Sequence, residues 1–84
     1  MMYIEARDYR YDDSTEVRLT NHRPVMDPDD YTDKYYFIID GIGKCGNYAT
    51  LEDWVRAMDI EPEDIPAIVS RLTSGEWVDI TYYI

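Results

Sequence analysis

Two apolar stripes at helical spacing in the last third of the chain constrain its fold more than any other feature. Leu51, Trp54, Val55 and Met58 fall at i, i+3, i+4 and i+7, and Ile65, Ile68, Val69 and Leu72 repeat the pattern. Each set aligns along one side of a helix, so each helix needs an apolar surface to cover. Thr50, with Asp53 three residues on, predicts the start of the first helix in the manner of a capping box, Asp standing in for the usual Glu or Gln. Pro62 or Pro66 opens the second helix, because a first-turn proline gives up an N–H that has no partner there. Gly75 supplies the left-handed residue that ends it. Residues 77–84 are β-prone to the last and read as a terminal strand.

The surface for those helices must come from the first half. Met2, Ile4 and Ala6 alternate with Tyr3, Glu5 and Arg7, the period-two pattern of a half-buried strand. Asp12, Asp13 and Ser14 favour a turn, after which Val17 and Leu19 alternate with Glu16, Arg18 and Thr20. The two segments predict a β-hairpin. Pro24 ends it, since proline cannot donate to a sheet ladder. Residues 24–34 are polar and irregular, a surface loop or short helical turn with nothing for a core. Residues 35–39, Tyr-Tyr-Phe-Ile-Ile, form the most continuous apolar run and suit a central strand buried on both faces. Asp40-Gly41 is a turn dipeptide, and residues 42–48 fit a short return strand. The order is β-β-β-(β)-α-α-β. We therefore expect one α+β domain over residues 1–84, with a small antiparallel sheet of three to five strands and two helices packed on one face.

Composition narrows the class. With 84 residues the chain is one domain near the lower end of what folds without staples. A single cysteine, Cys45, forbids an intrachain disulfide and suits a reducing, cytoplasmic setting. Glu5 and Asp8 stand where a signal peptide would carry a basic segment and an apolar run, and no apolar stretch approaches ~18 residues, so a membrane role is not expected. Eighteen Asp and Glu against eight Lys and Arg leave a net charge of −10. Such a surface repels nucleic acid and anionic lipid and favours a basic partner.

Motifs for chemistry are weak. Gly41-x-Gly43-x-x-Gly46 spells a dinucleotide-binding fingerprint. The helix begins only near Thr50, however, and no parallel strand with an acidic ribose ligand follows, so a glycine-rich turn is the better reading and no cofactor is expected. One histidine, His22, excludes the common zinc ligand sets, and His22 and Cys45 carry no flanking signature of a catalytic device. Asp27, Asp29, Asp30 and Asp33 lack the mid-loop glycine and distal glutamate of an EF-hand. No metal site and no enzyme activity are expected.

The remaining signal is where the acids gather. Those at Glu52-Asp53 and Glu61-Glu63-Asp64 sit at helix entries, where carboxylates favour the positive end of the helix dipole. Asp12, Asp13 and Glu16, and the run Asp27, Asp29, Asp30 and Asp33 around Tyr31, have no such local role. If the hairpin turn and the long loop share an edge of the sheet, these residues form a ridge of carboxylates. Same-face positions on a strand lie about 6.8 Å apart, the scale of phosphates along a nucleic-acid backbone. Tyr9, Tyr11, Tyr31 and Tyr48 lie in or beside polar segments, and tyrosine beside aspartate suits a face that binds a basic groove.

A very short, very acidic chain of this kind resembles the phage-encoded anti-CRISPR inhibitors. Its segments Ile65-Pro66-Ala67-Ile68-Val69 and Gly75-Glu76-Trp77-Val78 are similar to the C-terminal end of a small type I-F anti-CRISPR. The first half of the chain has no counterpart there. That resemblance implies a β-β-α-α-β fold and an acidic decoy, seated on the subunit of a surveillance complex that reads the target's flanking motif. The expected function is thus inhibition of a CRISPR effector through its basic nucleic-acid-binding surface, as monomer or homodimer, without direct nucleic-acid binding. An assembly protein that homo-oligomerises through its sheet edge and tyrosines is the alternative.

Overall fold

Alternation of apolar and polar residues makes β1 (Met2–Tyr9) and β2 (Ser14–Thr20) an antiparallel hairpin. Ala6 lies opposite Val17 and Ile4 opposite Leu19, so one face of the hairpin is wholly apolar at its centre. The computed structural model describes residues 1–26 and 31–81. Within it β3 (Thr32–Ile39) pairs antiparallel with the far side of β1, placing Phe37 opposite Ile4. The short β4 (Val78–Asp79) pairs with β2 through Val78 opposite Val17. The sheet is antiparallel with order β3-β1-β2-β4, and α1 (Leu51–Ala57) and α2 (Ile65–Thr73) cover its apolar face. The α+β architecture, with two helices on one face of a small antiparallel sheet, is the one the periodicities predict.

Both helices have legible ends. The Thr50 hydroxyl accepts from the Asp53 N–H at 3.1 Å, which is the capping half of the predicted start. Pro66 sits in the first turn of α2. Gly75 takes φ +86°, where a side chain would be strained, and its N–H donates back to the Leu72 carbonyl at 3.0 Å. α1 stops at Asp59, whose φ of 59° leaves the helical region. Trp54, Val55, Ile65, Ile68 and Leu72 are buried against Ile4, Ala6, Val17, Ile39, Val78 and Ile80. Trp54, fully buried, meets Phe37 with ring centroids 5.5 Å apart.

Four expectations need correction. The apolar run at residues 35–39 is not a central strand: β3 lies at the sheet edge, and β1 and β2 are central. Its tyrosines explain this, since a strand buried on both faces leaves no room for their hydroxyls. Residues 42–48 form no return strand. Only Tyr48 bridges to β3, in parallel, its N–H donating to the Ile38 carbonyl at 2.9 Å. The terminal strand is only two residues long among the described residues, with Trp77 before it and residues 82–84 outside the description. Residues 24–34 do contribute to the interior, because Pro24 and Thr32 are buried.

Trp54→Ala should cost ~3–5 kcal/mol of stability through the cavity it leaves. The indole Nε1 is itself buried without a hydrogen-bond partner, so neither substitution forfeits a bond there, and Trp54→Phe, which keeps a ring in the site, should cost clearly less than Trp54→Ala. Urea melts of the two variants check this. Equal losses would show that a phenyl ring recovers none of the packing at this site, and negligible loss in both would break the helix-on-sheet account.

Candidate functional site

At one end of the sheet the hairpin turn meets the start of β3. The turn runs through Arg10, Tyr11, Asp12 and Asp13, and it is closed by Asp12, whose Oδ1 accepts from the Ser14 N–H at 3.1 Å and from the Ser14 hydroxyl at 2.6 Å. Those bonds, the hydroxyl's first, hold the Asp12 carboxyl below its ordinary range. Asp13 takes φ 55°, a left-handed position that Asp and Asn tolerate best. The Arg10 N–H donates to the Tyr31 carbonyl at 3.0 Å, tying the entry of β3 to the hairpin. The Arg10 guanidinium then reaches Asp33 Oδ1, at 2.6 Å from Nη2 and 3.2 Å from Nε. Tyr11 and Tyr31, 82% and 61% exposed, sit with ring centroids 5.8 Å apart.

Asp8 stands opposite Asp33 in the β1–β3 register. Its Oδ1 accepts from the Thr15 hydroxyl at 2.8 Å and from the Tyr35 hydroxyl at 3.1 Å. Burial, followed by the charge of Asp8 and the bond to it, pushes the Tyr35 hydroxyl up to about 12. Asp8, Asp13 and Asp33 line one shallow depression together with Arg10 and Thr15. Among the described residues no group of three or more His, Cys, Asp or Glu side chains is placed to hold a metal ion.

The structure thus brings Asp12, Asp13, Tyr31 and Asp33 to one end of the sheet. Glu16 is set apart from them. It lies farther along β2, between Arg7 of β1 and Asp79 of β4 in the register. Asp27, Asp29 and Asp30 lie outside the described residues. Sequence reasoning missed Asp8 and Arg10 as members of this cluster. Both are separated from Asp33 by more than twenty positions, and only the β1–β3 pairing unites them. Tyr48, read as a surface tyrosine, instead packs on Phe37, ring centroids 6.1 Å apart. Glu52 and Asp53 lie in the first turn of α1, as expected, and Glu52 in addition pairs with Arg56 one turn on at 2.5 Å.

The glycine-rich run also has a local explanation. Asp40 Oδ1 accepts from the N–H groups of Gly43 at 2.7 Å and Ile42 at 2.8 Å, while Asn47 donates to Oδ2 at 3.1 Å. The amides that would meet a phosphate in a dinucleotide loop here meet the chain's own carboxylate. Comparison with protein-family models, with curated proteins and with solved structures finds no match to this chain.

Those bonds, that of Gly43 first and then that of Ile42, depress the Asp40 carboxyl from its ordinary value of 3.8 to about 2. A depressed acid favours the folded loop at every pH above its ordinary value, and that contribution is lost as the pH falls through about 2. An NMR titration of the Asp40 carboxyl should therefore give a midpoint near 2. In Asp40→Asn the Ile42 and Gly43 amides should lose protection from hydrogen exchange. A midpoint in the ordinary aspartate range would show that the two amides do not hold the carboxylate in solution.

Proposed function

We propose that this protein is a binding domain that inhibits a CRISPR effector by occupying its basic nucleic-acid-binding surface as an acidic decoy. The observation that supports this reading is the tilted, exposed ring pair of Tyr11 and Tyr31, which shares one end of the sheet with Asp12, Asp13 and Asp33. Tyrosines supply contact area at low entropic cost, and carboxylates around them steer a basic partner and fix its register. Because the Asp12–Ser14 bonds close the turn and the Arg10 N–H ties it to Tyr31 at the entry of β3, less ordering remains to be done on binding. The Arg10–Asp33 pair is half exposed on both sides and contributes no more than ~1 kcal/mol, so Asp33 can exchange Arg10 for a partner's cation at small cost. A net charge of −10 opposes direct binding to DNA or RNA.

The assembly reading has one observation in its favour. β3 is an eight-residue edge strand, and beyond the Tyr48 bridge no described strand pairs with its outer side. Such an edge is a template for a second copy. Light scattering separates the readings: a tight dimer would favour assembly, and a monomer favours inhibition.

Two variants test the decoy. Asp12→Asn with Asp13→Asn keeps the turn chemistry and removes two charges, while Tyr11→Ala with Tyr31→Ala removes the aromatic pair. Both should melt within about 1 kcal/mol of the parent, as exposed substitutions do. Both should lose about tenfold or more in blocking target-DNA binding by a purified effector, and should no longer protect phage in strains carrying that effector. Parent-like inhibition by both variants would overturn the assignment. The purified protein should also give no DNA gel shift at sub-micromolar concentration and physiological salt, and a shift would contradict the choice of partner.

A further inference from the structure

The face of the sheet turned away from the helices is mixed in charge, with Glu5, Glu16 and Asp79 among its strand residues, and it also gathers cations. Arg7 of β1, Arg18 of β2 and Lys34 of β3 lie on it, and Arg23 joins them from the segment after β2, its guanidinium 5.5 Å from the Tyr36 ring. These are four of the eight Lys and Arg residues of the chain. Trp77, just before β4, lies under two of them. The Arg7 guanidinium carbon is 3.6 Å from the indole centroid and that of Arg18 is 4.6 Å away. Glu5, Arg7, Arg18, Lys34 and Trp77, with Val25 at the rim, line a cavity of about 220 Å³.

The two arginines differ in what they face. Arg18 is balanced by Glu5, at 3.0 Å. Arg7 makes no ion pair or hydrogen bond among the described residues; its interaction is the stack on Trp77. The Nε–H donors of both are buried without an acceptor. Stacking occupies the flat face of a guanidinium and leaves its edge, where the N–H donors form a fork that matches two oxygens of a carboxylate or phosphate. A buried donor without a partner is unfavourable, so an oxyanion at that edge gains twice, from charge and from the relief of an unsatisfied N–H.

We propose that this cavity is a binding site for a small oxyanion, a carboxylate or phosphate group, held by the Arg7 guanidinium edge over Trp77. The size and the charge of the molecule both restrict the occupant. The cavity falls below the ~300–1,000 Å³ of sites that enclose drug-sized ligands, so it takes a group of a few heavy atoms. The net charge of −10 repels an extended polyanion. This site is independent of the acidic end of the sheet and of the decoy reading, and its test reads different residues.

The test is an NMR titration that follows the arginine Nε–H and tryptophan Nε1–H signals. Sodium phosphate and sodium succinate are added separately, each against sodium chloride at matched ionic strength. Saturable shifts at Arg7 and Trp77 are expected, with at least one of the two anions in the millimolar range or tighter, and the stronger arm assigns phosphate or carboxylate. Arg7→Gln should weaken that affinity about tenfold or more, and Arg56→Gln, on the exposed side of α1, should leave it unchanged. Arg7→Lys keeps the charge without the fork and should bind several-fold more weakly, which also serves if Arg7→Gln does not fold. Shifts that grow linearly and match the chloride control, for both anions, would overturn the proposal. So would equal affinity in Arg7→Lys and the parent, because the fork would then play no part.

Discussion

Everything in this fold depends on one face of a four-stranded sheet finding cover under two helices too short to stand alone. α1 has seven residues and α2 nine, below the ~12–15 at which even favourable sequences become marginally helical in water. Their stability comes from Trp54, Val55, Ile65, Ile68 and Leu72 reaching Ile4, Ala6 and Val17. The dependence is mutual, since the hairpin of β1 and β2 is equally marginal without a covered face. Trp54 is the side chain that joins the layers, fully buried and in contact with Phe37 of β3. A domain with one such core has little redundancy, and its surfaces can vary only where the core is not engaged.

That burial also sorts the charge. Of the β1 residues at the sheet centre, Ile4 and Ala6 go under the helices, and Glu5 and Arg7 go to the other face. The ionisable residues are left with the open face, the helix exteriors and the ends of the strands. On the open face Arg7 and Arg18 settle over the Trp77 ring. At the turn end, tight geometry favours aspartate for a reason unrelated to binding, because Asp12 closes the turn and Asp13 takes a left-handed position. Part of the acidity is thus turn chemistry, and the mixed charge of the open face is the complement of core formation.

The helices and the hairpin were legible because their signals are local. The stripes at i, i+3, i+4 and i+7, the Thr50 cap and the Gly75 stop all act within a few residues. Strand order is not local. Nothing in the run at residues 35–39 says that it pairs with β1 alone and stays at the edge, and only its tyrosines hinted at a partly wet position. The candidate site was half legible for the same reason. Asp12, Asp13, Tyr31 and Asp33 stand out by composition, whereas Asp8 and Arg10 join them through β1–β3 pairing, and the Arg7–Trp77 stack spans seventy positions of the chain. The fingerprint at residues 41–46 misleads because glycine spacing is shared by phosphate-binding loops and by a loop folded around its own Asp40.

A net charge of −10 is consequently a poor guide to what either surface presents. Arg7 and the turn are only three residues apart on β1, about 10 Å along a strand. That separation is comparable with the Debye length of ~8 Å at physiological ionic strength. Each surface is therefore felt at contact with its own sign, while only the approach of a distant partner registers the sum. On the proposed reading, the acidic end would draw a basic partner over long range and lose that steering as salt rises. The proposed site at Arg7 would act differently, because its Nε–H is buried and a fork-to-oxyanion fit is geometric, which salt screens far less. The two proposals thus place different kinds of recognition on the same β1 strand, one set by long-range charge and one by the fit of a fork to an oxyanion.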